Sequence, residues 1–264
     1  MEEKTVNIPT PDGQMNAFVA HPSAPGPFPA VVIYMDFWGF REELFDIVRR
    51  VAVAGYYCVM PNLYYRQGKV SNAFYDQNGK MISFEALDEE RKKIALEPLL
   101  MLTNAMVIKD TGVLVEFLHA GEPVRRGIMG SIGYCMGGRH VFCVAGAYPE
   151  VFQAGASLHG TNLILDREDS PHHQAHKFRG ELYCGFAETD PYASPEVIKG
   201  LAEIFQRCPH VSYMHEIHKG ADHGYALPDR DVFHKVGANR DWELIFAMLQ
   251  RQCPAYSETI PTKQ

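Results

Sequence analysis

Two periods of apolar and polar residues alternate along the chain, and the switches between them mark its elements. Residues 4–8 and 14–20 are partly apolar runs separated by Pro11-Asp12-Gly13. Asp-Gly between such runs predicts a short antiparallel hairpin. After a Pro- and Gly-rich loop over 22–29, positions 30–35 read Ala-Val-Val-Ile-Tyr-Met without a polar break. That is the pattern of a strand buried on both faces of a parallel sheet. Leu44, Ile47, Val48 and Val51 then recur at helical spacing, predicting a helix over 42–54 closed by Gly55. A strand over 56–60 stops at Pro61-Asn62. Residues 63–98 are polar and aperiodic and read as a long excursion over the sheet edge, a length that is functional or mobile in most compact domains. Leu99, Leu102, Met106, Val113 and Phe117 mark one long amphipathic helix ending near His119.

The second half repeats the strand and helix alternation. Strands are expected over 128–132, 152–158, 182–186 and 211–217, and helices from the end of the first of these to Ala147, over 195–205 and over 231–249. Such alternation predicts an α/β fold: a mostly parallel central sheet with helices on both faces and a short N-terminal antiparallel hairpin, as a single domain over 1–264. The carboxyl ends of the strands form the functional edge of such a sheet.

One strand end stands out. Around Cys135 the chain reads Gly133-Tyr134-Cys135-Met136-Gly137-Gly138, between an apolar strand and a helix-compatible segment. Small residues two before and two after a central nucleophile are what a strained strand-to-helix turn, a nucleophile elbow, requires. The bland alternative is a tight turn around a core thiol, since free cysteine is among the most buried residue types. A thiol nucleophile also needs a base and a group to orient it. In the α/β-hydrolase order an acid and then a histidine follow at later strand ends. Asp190 stands after the 182–186 strand, before Pro191, and His223 stands in Gly220-Ala221-Asp222-His223-Gly224 after the 211–217 strand. Separately, these would be a turn aspartate and one of twelve histidines; in order, they complete a candidate triad. The backbone N–H groups of Met136 and Phe37, each after a strand, are the natural oxyanion donors.

In these pieces, together with Pro61-Asn62-Leu63-Tyr64 and Ala221-Asp222-His223-Gly224-Tyr225, the chain resembles the dienelactone hydrolases over nearly its whole length. The resemblance implies a Cys135–Asp190–His223 triad that cleaves lactones or activated esters through an acyl-cysteine, with no cofactor and no metal. It also implies a carboxylate at position 36, commonly glutamate, that governs ionisation of the thiol. Asp36 is one methylene shorter, and its alternative role is to cap the following loop. Family members that act on dienelactone hold its carboxylate with arginines, one of them four residues after the triad histidine, where this chain has Leu227. Arg66, Arg91, Lys92 and Arg230 are the nearby cations, none a clean match. Arg66 and Arg91, with Trp38 and Tyr134, are carried as candidate substrate contacts.

Composition narrows the partners. The chain has 264 residues, 46% hydrophobic and 22% charged, enough to bury a sizeable core. A net charge of −7 without a basic run argues against nucleic acid. The start Met1-Glu2-Glu3-Lys4 lacks signal-peptide features and no apolar run approaches membrane-spanning length, so a cytoplasmic, non-membrane protein is expected, as monomer or homodimer. Six cysteines without Cys-x-x-Cys spacing predict reduced thiols. Three other readings compete. Gly133 to Gly138 followed by Arg139-His140 resembles a phosphate loop but lacks its Lys and Ser/Thr. The clusters His172, His173, His176 and His215, His218, His223 suggest metal. A non-enzymatic ligand-binding or thiol redox-sensing module would keep the fold with Cys135 as a reactive thiol.

Overall fold

In the computed structural model, residues 1–68, 70 and 73–257 are described. The predicted hairpin is β1 (Glu2–Thr10) and β2 (Gly13–His21), paired antiparallel from Glu2 opposite His21 to Thr10 opposite Gly13. Gly13 has φ +136°, a conformation that L side chains rarely adopt. Next come β3 (Ala30–Tyr34), α1 (Glu42–Val53) and β4 (Tyr57–Pro61). Every residue of β3 and β4 is buried, as their unbroken apolar runs require of central parallel strands.

The remaining elements are α2 (Glu89–Leu100), α3 (Asn104–Gly121), β5 (Met129–Tyr134), α4 (Met136–Ala147), β6 (Phe152–Leu158), β7 (Gly180–Thr189), α5 (Pro195–Gln206), β8 (Val211–Asp222) and α6 (Lys235–Gln252). The sheet order is β1-β2-β4-β3-β5-β6-β7-β8. β2 pairs antiparallel with β4, and every later pair is parallel. Helix α1 packs on β2 and β4, and α6 on β6, β7 and β8, the two helices meeting where Arg50 lies over the Trp242 ring. Helices α3, α4 and α5 cover the opposite face. This is the expected α/β architecture. Among the described residues no single helix is long and apolar enough to cross a membrane, and all six cysteines are free and buried.

Two expectations change. The 63–98 stretch is not wholly irregular: Tyr65–Gln67 and Phe84–Ala86 form single 3₁₀ turns, and α2 begins at Glu89 with the Asp88 carboxylate accepting from the Arg91 N–H at 2.8 Å. Helix α2 buries only Ala95 and Pro98, so it carries no apolar stripe for a periodicity argument to detect. The long helix expected from Leu99 also starts later. Thr103 caps α3 by accepting from the Met106 N–H at 3.2 Å, leaving Leu99 on α2 and Leu102 between the two helices.

A buried polar cluster fastens the last helix to the sheet. Asp241 on α6 has no exposed surface and accepts from Tyr183 Oη at 2.6 Å, Tyr225 Oη at 2.7 Å and His218 Nε2 at 2.7 Å. Burial and the adjacent carboxylate push both tyrosine pKa values up, so the hydroxyls remain donors. Tyr225 stands two residues after His223, so the cluster also fixes the loop carrying that imidazole. Asp241→Ala leaves three buried polar groups without their acceptor and should cost about 3–5 kcal/mol, measured as a lowered urea midpoint with an unchanged slope.

Candidate active site

The elbow forms because α4 turns back against β3 and β5 at almost no separation. A Cβ at Gly137 would lie 2.2 Å from the Tyr34 carbonyl oxygen, and one at Gly133 would lie 2.0 Å from the Gly137 oxygen. Neither distance admits a side chain, so both positions must be glycine. The turn places Cys135 at φ 55°, ψ −115°, a strained conformation for a residue with a Cβ. Its N–H donates to Leu158 O at 3.0 Å and its carbonyl accepts from Gly138 and Thr161 N–H groups at 3.0 and 3.1 Å. The thiol is thereby held at the carboxyl edge of the sheet.

His223 follows β8 and Asp190 follows β7. His223 Nε2 lies 3.3 Å from Cys135 Sγ, and His223 Nδ1 lies 2.8 Å from Asp190 Oδ2. The other Asp190 oxygen accepts from Tyr192 N–H at 2.9 Å. The Asp190 side chain is fully buried and that of His223 is 10% exposed. Burial alone would depress the imidazole pKa. The sulfur beside it and the bonded Asp190 carboxylate more than reverse this, pushing His223 up to about 10. An imidazole so placed can hold a proton beside the sulfur and pass it to an atom bound there.

The thiol opens into a small cleft of about 100 Å³. Phe84 from the excursion and Leu96 and Leu99 from α2 form an apolar wall facing Cys135 and His223. Arg139, one helical turn after the thiol, and Arg230, in the loop after His223, supply the cations. Arg230 is 3% exposed and has no ion-pair partner among the described residues; its guanidinium lies 5.5 Å from the Trp38 ring centre. The Nε atoms of Arg139 and Arg230 are both buried without a hydrogen-bond partner.

A sequence profile described as the dienelactone hydrolase family matches residues 15–253. The chain belongs to the dienelactone hydrolase family. A "Putative carboxymethylenebutenolidase" of Synechocystis sp. is 24% identical over 253 residues, covering 94% of this chain and 96% of that protein. One of the same name from Saccharolobus solfataricus is 27% identical, covering 94% and 98%. In fold, the chain resembles the crystal structure of a "Putative Dienelactone Hydrolase" from Klebsiella pneumoniae, with TM-score 0.79, 22% identity and coverage of 95% and 98%. This member of the family is a carboxymethylenebutenolidase-like hydrolase acting on a small molecule.

Other residues singled out from sequence lie as follows. Phe37 follows β3 and Met136 opens α4, where first-turn N–H groups have no acceptor within the helix. The Tyr64 hydroxyl, from the Pro61-Asn62-Leu63-Tyr64 motif, lies 3.0 Å from Phe37 O and 3.6 Å from Met136 Sδ, tying the two together. Asp36 is fully buried, but both its oxygens accept from Arg41, at 2.6 and 3.0 Å. Arg41 also donates to Asp229 at 2.6 Å. The shorter carboxylate thus serves an ion-pair bridge between the loops after β3 and β8, and the sulfur's hydrogen-bond partner is His223.

The four candidate substrate contacts are not on the cleft wall. Arg66 is committed to Asp12 and Asp110 at 2.7 and 2.8 Å. Arg91 is exposed beside Asp88 and Phe74. Trp38 packs against Phe37 outside the cleft, and Tyr134 is wholly buried in the elbow strand. Lys92 pairs with Glu89, and Leu227 is in the core. Neither histidine cluster forms a group able to hold a metal among the described residues: His218 bonds Asp241, and although the His172 and His173 rings lie 4.0 Å apart, His172 meets Ser170 and His176 the His173 carbonyl.

Sequence reasoning passed over Tyr192 and His159, and weighed Arg139 only as part of a phosphate loop. Arg139 was legible from the spacing of the helix that starts at Met136, and His159 stands at the end of β6, the same position that selected the other candidates. The raised His223 pKa has a signed consequence. Its protonated form stabilises the fold fully below about pH 6.5, and that contribution fades as pH rises through about 10. Imidazole NMR should therefore show His223 titrating near pH 10, and at lower pH in Cys135→Ala, where the sulfur's contribution is gone while burial and Asp190 remain.

Proposed function

We propose that this enzyme cleaves small lactones or activated carboxylic esters through an acyl-cysteine formed on Cys135. The observation that carries the reading is His223 within 3.3 Å of the sulfur and 2.8 Å of the Asp190 carboxylate. The thiolate attacks the carbonyl carbon while the Met136 and Phe37 N–H groups stabilise the oxyanion, each worth about 3 kcal/mol. The C–O bond breaks and the leaving alkoxide takes the His223 proton. Neutral His223 then removes a proton from water, which attacks the thioester; thiolate leaves and the acid product forms. Asp190 keeps Nδ1 as the donor side of the ring throughout. Asp36 acts through Arg41, holding the loop that presents Phe37.

The reading extends to the substrate. A buried guanidinium with no ion-pair partner among the described residues is costly, and Arg230, helped by Arg139, would recover that cost by binding a carboxylate carried on the lactone or ester. Phe84, Leu96 and Leu99 then take the apolar remainder. The names of the curated relatives agree with a carboxylate-bearing lactone.

With p-nitrophenyl acetate and a dienelactone as substrates, Cys135→Ala should lose at least about a thousandfold in kcat, and Asp190→Asn about a hundredfold or more. Equal turnover by wild type and Cys135→Ala would end the acyl-cysteine reading. Arg230→Gln should raise KM for the carboxylate-bearing lactone about tenfold more than for the neutral ester, as expected for loss of a charged hydrogen bond; parallel changes would exclude Arg230 from carboxylate binding.

A further inference from the structure

We propose that His159 is a positioning residue for His223, its uncharged imidazole bracing the ring that serves Cys135. The inference rests on the triad reading above. His159 is the first residue after β6, with φ 38°, in the left-handed region that favours glycine. Its N–H donates to Gly185 O at 2.8 Å, which fixes the backbone there. The side chain is completely buried, and among the described residues neither ring nitrogen has a hydrogen-bond partner in another residue. A buried imidazole without partners, on a strained backbone, is doubly unfavourable; glycine would relieve both. What the ring has instead is contact with aromatic neighbours.

Its centre lies 5.1 Å from that of His223, with the planes at 77°, and 5.6 Å from that of Tyr225 at 71°. Tyr134 is the third neighbour, at 6.0 Å. Edge-to-face packing of this kind is favourable and directional. His223 also meets Tyr192, at 4.8 Å and 64°. Both His223 nitrogens are occupied, by Cys135 and Asp190, so nothing in its own hydrogen bonding stops the ring from rocking about the line joining them. Flanking rings do.

The bracing group must also be uncharged. The charged groups facing His159 are His223, Arg230 and Arg41, all cationic or able to become so, and burial together with these neighbours keeps its pKa well below the ordinary value. A second imidazolium there would repel the one on His223. The bland alternative, a histidine that only fills the core, predicts a loss of stability without a selective effect on the thiol.

The two readings separate with His159→Asn, which tolerates the left-handed backbone but removes the ring, and His159→Phe, which keeps a ring. Positioning predicts that the Asn variant, folded by circular dichroism, loses about tenfold or more in kcat with KM within about threefold. Its Cys135 should be alkylated more slowly by iodoacetamide at pH 7, with the inflexion of the rate profile moved to higher pH, while the Phe variant recovers most of both. Wild-type kcat and alkylation profile in the Asn variant would overturn the proposal, as would equal losses in both variants. Should the variants fail to fold, the unmodified protein decides: a nuclear Overhauser contact between the two imidazoles from pH 6 to 9 supports the brace, and its absence overturns it. Failure of the triad reading would look different, because Cys135→Ala would then remain active whatever His159 does.

Discussion

The approach of α4 to β3 is the constraint on which the site depends. With the Tyr34 carbonyl where a Gly137 Cβ would stand, and Gly137 where a Gly133 Cβ would stand, strand and helix are packed backbone to backbone. The residue between them has no relaxed conformation available, and Cys135 takes a positive φ. The surrounding sheet supplies the stability that holds it there. Strain at one residue thus becomes a fixed position for its sulfur, at the start of a helix and level with the ends of the neighbouring strands.

The groups around the sulfur come from separate loops, and buried polar bridges bring those loops into register. Arg41 joins the loop after β3, through Asp36, to the loop after β8, through Asp229. Asp241 holds Tyr225 close behind His223. The excursion is tied to the same region, with Met81 N–H donating to Asp229 O at 2.8 Å and Ser83 N–H to Asp231 Oδ2 at 2.9 Å. Phe84, next to Ser83, is thereby tied to the loop that follows His223. The Arg41–Asp36 and Asp241 bridges bury charge or polar atoms, which makes them a weak source of net stability but an exacting one in geometry.

The fold was legible because central parallel strands announce themselves as unbroken apolar runs, and the site because the thiol, carboxylate and imidazole each follow such a run in chain order. Helix α2 was not legible, since it buries only Ala95 and Pro98 and leaves no stripe. The roles of Arg41, Arg66 and Arg230 were not legible either. A sequence shows that an arginine is present but not which carboxylates the fold brings to it. Arg66 meets two, Arg41 meets two, and Arg230 meets none among the described residues.

That difference among arginines explains why chemistry is easier to read than specificity in this chain. The candidate triad groups stand at strand ends, so their order survives in the sequence. Cleft cations are defined by subtraction: an arginine is available to a substrate only if folding has not already neutralised it. Leu227, four residues after His223, is a core residue, while Arg230, three positions further on, is buried on the cleft lining with no ion-pair partner among the described residues. Only the folded arrangement of carboxylates determines which arginines reach the cleft without an ion-pair partner.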